Sequence, residues 1–166
     1  MDMALAKEVL DVLNRQLVKE FDAAAVYLGM YVYFENELFH GFAAWFKKQS
    51  AEEQTHYQKL IDYILDRGSV PTLPAVKPAA ASYGGVLEAF KAALGHEKAN
   101  TAGIYECLEV AKQANDPATL DMLQWFVREQ VEEEKWASEY AEMVEKIAGS
   151  VGGLWMFDHR VGKKAE

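Results

Sequence analysis

The sequence predicts an all-α fold, an antiparallel four-helix bundle with a long crossover between helices two and three and a short fifth helix at the C-terminal end. Three observations predict it. Apolar residues recur at alternating spacings of three and four over long stretches, the pattern of a helix with one buried seam. The prolines Pro71, Pro74, Pro78 and Pro117 leave those stretches uninterrupted. Three of them fall together in one mid-chain segment, a connection long enough to cross a bundle. A chain of 166 residues suits one domain, which at this size buries about 70% of its unfolded surface. Residues 1–148 read as the bundle and 149–166 as a small terminal helix and tail of the same domain.

The first helix is expected from about Asp2 to Glu37, with Leu10, Leu13, Leu17, Glu20, Ala24, Tyr27, Tyr31 and Phe34 in its seam. A break at His40-Gly41 leads to a second, ending near Arg67, whose seam is Phe42, Phe46, Gln49, Glu53, His56, Leu60 and Tyr63. Gly68 reads as its stop. The third, from about Ser82 to Asn115, carries Leu87, Phe90, Leu94, Glu97, Thr101, Ile104 and Leu108. Asp116-Pro117 opens the fourth as cap and first-turn proline, and its seam is Leu123, Phe126, Gln130, Glu133, Ala137, Tyr140 and Val144. After Gly149 the chain is glycine-broken and then briefly apolar, too short for a bundle helix.

Composition narrows the function. With 51% hydrophobic and 26% charged residues the chain is ordinarily globular, and no apolar run approaches the roughly 18 to 20 residues of a membrane helix. The opening MDMALAKEVLDVLNRQ mixes charged with apolar residues and lacks the layout of a secretory signal, so a soluble cytoplasmic protein is expected. Cys107, the lone cysteine, makes neither an internal disulfide nor a thiolate metal site. Any metal must be held by oxygen and imidazole. A formal charge of −9 disfavours nucleic acid and favours cations as partners.

The polar residues that interrupt the seams carry the chemistry. If the long link makes the middle helices parallel, Glu20 and Glu53 with His56 lie roughly 18 to 24 Å from the turn of the first hairpin, Glu97 and Gln130 with Glu133 as far from the turn of the second, and all fall at one height. The spacing repeats, with 33 positions separating Glu20 from Glu53 and Glu97 from Gln130. Three positions after each second member comes another ligand type, His56 or Glu133. A single seam glutamate is most simply a misjudged helical phase, and an isolated Glu-x-x-His a solvated pair. Neither explains equal spacing in both halves. Four carboxylates converging in a core cannot all stay ionised without a positive charge between them. Carboxylates with one imidazole suit iron or manganese rather than copper or structural zinc. Glu53 and His56 share a helix face, so the carboxylate can bridge two ions while the imidazole binds one. Two adjacent ferrous ions can each give an electron to dioxygen. Glu52, Glu129 and Glu132 turn away from the seam, and by default EQVEEEK is a solvated face. Gln49 reads as an ordinary polar neighbour, Trp45 and Trp125 as packing or interface residues, and His40, His96 and His159 as solvent or loop histidines.

Over nearly its whole length the chain resembles the bacterial non-haem ferritins, through the Glu20 to Tyr27 segment, AEEQTHYQKLIDYI, HEK with Glu97, and LQWFVREQVEEEK. Ferritin-like di-iron bundles are themselves a standard illustration of such carboxylate layers. The resemblance implies a first iron on Glu20, Glu53 and His56, a second on Glu53, Glu97 and Glu133, Glu53 as bridge, and Gln130 nearby. It implies a third site on Glu52, Glu129, Glu132 and Glu133, and Tyr27 as an electron donor. It further implies ferrous iron oxidised by dioxygen or hydrogen peroxide and stored as ferric mineral in a cage of twenty-four subunits. The chain departs from bacterioferritins, having Gln130-Val131-Glu132-Glu133 where they carry a second Glu-x-x-His, and Gln54 in place of the haem methionine. Haem is not expected. The tail from Leu154 to Arg160 resembles a shortened fifth helix, so the four-fold pore is expected to differ. Two other readings remain: a di-iron oxidase acting on an organic substrate, with an open apolar pocket, and a bundle that only buffers metal.

Overall fold

A computed structural model describes residues 4–165. Five α-helices occupy them: α1 Lys7–Asn36, α2 His40–Asp66, α3 Val86–Gln113, α4 Pro117–Ile147 and α5 Val151–Ala165. The expected helix start at Asp2 lies outside the described residues, and α1 begins at Lys7. Among the described residues no helix is long and apolar enough to cross a membrane.

Each connection is closed by its own backbone chemistry. At the end of α1, Leu38 takes a left-handed φ of 62°, while the Leu38 and Phe39 amides donate to the carbonyls of Glu35 and Phe34. Gly68, at φ 67°, ends α2 in the same way, as its position after the seam predicts. Asn115, at φ 53°, ends α3. Asp116 then accepts the Thr119 amide at 3.1 Å and caps α4 ahead of Pro117.

The crossover runs beside α1. The Thr72 amide donates to Asn14, Lys77 pairs with Asp22, and the Tyr83 hydroxyl donates to the Val26 carbonyl. These anchors ascend α1 in order, so the link returns the chain to the end where α2 began and makes α2 and α3 parallel. α3 begins at Val86, four residues later than Ser82, because Gly84 and Gly85 take positive φ.

The expected short fifth helix is α5, fifteen residues long against 27 to 31 in the four bundle helices, and it runs from Val151 rather than from Leu154. Ser150 caps it through the Gly153 amide at 3.0 Å, and its glycines allow contact rather than break the helix. A Cβ on Gly41 would stand 1.9 Å from the Asp158 carbonyl oxygen, and one on Gly162 2.9 Å from the Gly41 Cα. At this close crossing Asp158 accepts the Phe42 amide at 2.7 Å, supplying the cap that α2 lacks in its own sequence.

The core is divided in two. One apolar cluster holds Tyr27, Phe34, Phe42, Phe46 and Phe90, and the other Leu13, Leu17, Leu60, Ile104 and Phe126. Between them lies a layer in which Glu20, Glu53, His56, Glu97, Gln130 and Glu133 are all buried. The predicted polar seam positions therefore do meet at one height.

Candidate metal centre

Helical periodicity delivers each of these side chains inward. His56 lies one turn beyond Glu53 on α2, and its Nδ1 is 3.1 Å from Glu53 and 3.6 Å from Glu20. Ligand atoms of Glu20, Glu53 and His56 all fall within 4.8 Å of one another, and so do those of His56, Glu129 and Glu133. His56 is common to both groups. On the opposite side Glu97 accepts from the Tyr27 hydroxyl, and at 3.2 Å from the Gln130 amide. Glu133 accepts from the indole of Trp136.

This geometry groups Glu133 with His56 and Glu129, whereas the resemblance placed it with Glu53 and Glu97. The reason is local. Glu97 is engaged by Tyr27 and Gln130, and Glu133 by Trp136, so each carboxylate is turned toward a donor on its own side.

Electrostatics describe a site made for cations. Burial pushes the Glu53 carboxyl well above its ordinary range, with the Glu20 charge adding to the effect against the lowering influence of His56. Burial also pushes Glu20 up, but hydrogen bonds from His56, Glu53 and Gln16 outweigh it and hold Glu20 low. Burial lowers the His56 imidazole, yet the two carboxylates beside it raise it to about 11. Burial and the Glu97 charge raise Glu133 to about 8. Burial and the surrounding carboxylates raise Tyr27 well above the usual phenol range. Glu20 Oε2 is buried and makes no close hydrogen bond, with the His56 Nδ1 3.6 Å away. A buried carboxylate oxygen without a close hydrogen bond, among hard oxygen donors and one imidazole, fits iron, and these are the residues that would hold it.

A ferritin-like domain model matches residues 10–147, most of the chain. The chain belongs to the ferritin family. It is 35% identical over 160 residues to the bacterial non-heme ferritin of Staphylococcus aureus strain USA300, covering 96% of each chain. The Staphylococcus epidermidis relative is 34% identical over 161 residues, covering 97% of each. Among solved structures it is similar to a ferritin of Archaeoglobus fulgidus described as having an open pore, with a TM-score of 0.93 and 34% identity. That match covers 96% of this chain and 98% of the archaeal one.

In this ferritin a cavity of about 500 Å³ opens beside the layer, where five glutamates, Glu52, Glu129, Glu132, Glu133 and Glu139, outnumber Lys48, Lys135 and Lys164 around His56 and an aromatic wall. Glu52 and Glu129 are half-buried and Glu132 is exposed, so the acidic stretch is a cavity wall rather than a uniformly solvated face. Gln49 is buried and donates to Glu52. Trp125 meets the His56 ring edge-on at 5.4 Å. His40 is exposed and pairs with Glu35, and His159 is exposed on α5, but His96 is half-buried within α3.

Sequence reasoning missed two residues of the layer. Gln16 is buried and donates to Glu20 at 2.6 Å, and Trp136 donates to Glu133. Each lies one helical turn from the residue it serves, so a search at i−4 and i+3 around every seam carboxylate would have found them.

Proposed function

We propose that this chain is an iron-storage ferritin subunit that oxidises Fe(II) to Fe(III) at an intra-subunit two-iron centre and stores ferric mineral in a cage. The observation that carries this is the buried layer of Glu20, Glu53, His56, Glu97 and Glu133 opening into an acidic cavity. Ferrous iron is the substrate. Acidic cavity walls attract it, and the buried carboxylates bind it while His56 gives up its proton. Glu20, Glu53 and His56 hold one ion. Glu53, Glu97 and Glu133 hold a second when Glu97 and Glu133 exchange their present donors for metal, with Gln130 and Tyr27 beside it. Glu52, Glu129, Glu132 and Glu133 form a third site on the cavity wall. Two ferrous ions supply two electrons, which reduce dioxygen to the peroxide level or one hydrogen peroxide to water. The subunit assembles as a homo-oligomer of twenty-four in the cytoplasm.

The test is dioxygen consumption when ferrous iron is added to metal-free protein, with Glu53→Ala alongside and particle mass read on the same samples. Rapid uptake at two irons per centre in a large particle, abolished by Glu53→Ala, is expected. Slow uptake, or uptake indifferent to Glu53, refutes an oxidation centre, and a monomeric or dimeric mass refutes the cage.

A further inference from the structure

One carboxylate of the layer is held from behind. Glu20 accepts the Gln16 amide on Oε1 at 2.6 Å, from one helical turn earlier on α1. Its Oε2 makes no close hydrogen bond and faces the His56 Nδ1 at 3.6 Å. The other carboxylates differ. Glu97 is engaged at both oxygens, by Tyr27 and by Gln130, and Glu53 meets His56 directly. On an exposed helix a glutamine four residues before a glutamate is an ordinary surface pair, but Gln16 and Glu20 are both buried. Gln16 Oε1 is also buried with no hydrogen-bond partner. Methionine would fill the same space with no polar atom left over, so packing does not account for the amide.

Charge fixes which way the amide is turned. Its oxygen reaches Gly103 of α3. A Cβ there would stand 2.5 Å from the Lys19 Nζ and closer still to Gln16 Oε1, so the ammonium and the amide oxygen share the notch that the missing side chain leaves. Lys19 is held over α3 by donating to the Ala99 carbonyl at 3.2 Å. The amide therefore stands between a cation and an anion. Turned over, it would set its oxygen against the Glu20 carboxylate and its N–H groups against the Lys19 ammonium, and both contacts would be repulsive. One orientation is imposed from both ends, and it places an N–H on Glu20 Oε1.

We propose that Gln16 is a positioning residue that makes Glu20 bind the first metal ion through one oxygen, Oε2, rather than chelating it with both. This rests on the iron-oxidation reading above. A carboxylate oxygen that accepts a short hydrogen bond is a poorer donor to a metal than its unengaged twin, and the same bond fixes the plane of the group. Glu97 and Glu133 must exchange donors to reach a metal, whereas Glu20 already presents a free oxygen. The consequence is an open coordination position. An ion held by one oxygen of Glu20, one of Glu53 and the His56 imidazole has places left, and chelation by Glu20 would fill one of them. Gln16 thus keeps a place on the first ion for the oxidant. It acts from the side of α1 and α3, whereas the acidic cavity is lined by α2, α4 and the end of α5.

The test is the crystal structure of the zinc-loaded protein, parent and Gln16→Met, with the visible spectra of the cobalt-loaded proteins in solution beside it. In the parent one Glu20 oxygen is expected about 2.0–2.2 Å from zinc, with the other still on Gln16. Gln16→Met keeps the length of the side chain and removes the N–H, and in it Glu20 is expected to shift to two metal–oxygen bonds. Cobalt in that variant is expected to absorb more weakly in the visible than in the parent, the sign of a higher coordination number. Gly103→Ala puts a methyl where Gln16 Oε1 and Lys19 Nζ stand, and is expected to give the same shift from another helix. Glu20 chelating zinc through both oxygens in the parent, or still binding through one in Gln16→Met, would overturn the positioning role while leaving the iron centre standing. Zinc bound away from Glu20, Glu53 and His56 in the parent would overturn both.

Discussion

At the scale of single residues, the centre is a contest between protons and metal. His56, raised to about 11, and Glu133, raised to about 8, hold protons at neutral pH that a bound cation must displace. Binding of redox-inert zinc or cobalt is expected to release protons near pH 7. The release should diminish as pH rises through about 8, where Glu133 gives up its proton beforehand. Titration calorimetry in buffers of different ionisation enthalpy measures this, and metal uptake without proton release would contradict it. Stability carries the corresponding sign. The Glu133 value lies above its ordinary 4.5, so raising pH from there through about 8 destabilises the metal-free fold by ionising a buried carboxyl. The His56 contribution is present below its ordinary 6.5 and is lost as pH rises through about 11. Glu20, Glu53, His56, Glu97, Gln130 and Glu133 were legible in the sequence because polar residues in an apolar seam violate the helical pattern. Gln16 and Trp136 were not, because a glutamine or tryptophan at a helix flank violates nothing until its partner is known.

At the scale of elements, the termini decide what packs where. Asp116 caps α4 and pairs with Arg67 at 3.0 Å. Burial pushes its carboxyl up, but the Arg67 guanidinium and Thr119 outweigh this and hold it below its ordinary 3.8. A depressed folded value means that this contribution is fully present above about pH 3.8 and disappears as pH falls through the folded value. Asp116→Ala is expected to cost about 1 kcal/mol in denaturant unfolding at neutral pH, with the difference from the parent vanishing in acid. An equal cost at both ends of that range would assign the loss to packing instead. The junction of α2 with α5 makes a sharper prediction. Gly41→Ala drives a methyl into the Asp158 backbone and is expected to destabilise by about 1–3 kcal/mol, loosening α5 first. Hydrogen exchange that rises in α5 while the bundle helices stay protected would confirm the order. Helix ends at Gly68 and Asp116 were readable because a stop glycine and a capping aspartate act on adjacent backbone. The cap of α2 was not, because Asp158 lies 116 positions from Phe42.

At the scale of the whole molecule, the polar layer splits the core into two apolar clusters, and desolvated carboxylates at their junction weaken the metal-free protein. Divalent metal bound there is expected to raise the unfolding free energy by about 2.7 kcal/mol at a free concentration about a hundredfold above Kd. Thermal melts with and without zinc, compared between the parent and Glu53→Ala, measure this. A rise equal in both proteins would place the stabilising metal elsewhere. The sequence by itself determined four long helices, the crossover, the parallel middle pair and the height of the carboxylate layer. Periodicity, proline placement and a rise of about 1.5 Å per residue are properties of a chain along its own axis. Only the tertiary structure decided that His56 is shared by two carboxylate groups, that Glu97 turns to Tyr27 and Glu133 to Trp136, and that the short fifth helix crosses α2 at Gly41 and caps it through Asp158. Those outcomes depend on distances between helices, where a side chain chooses among partners that its own helix does not contain.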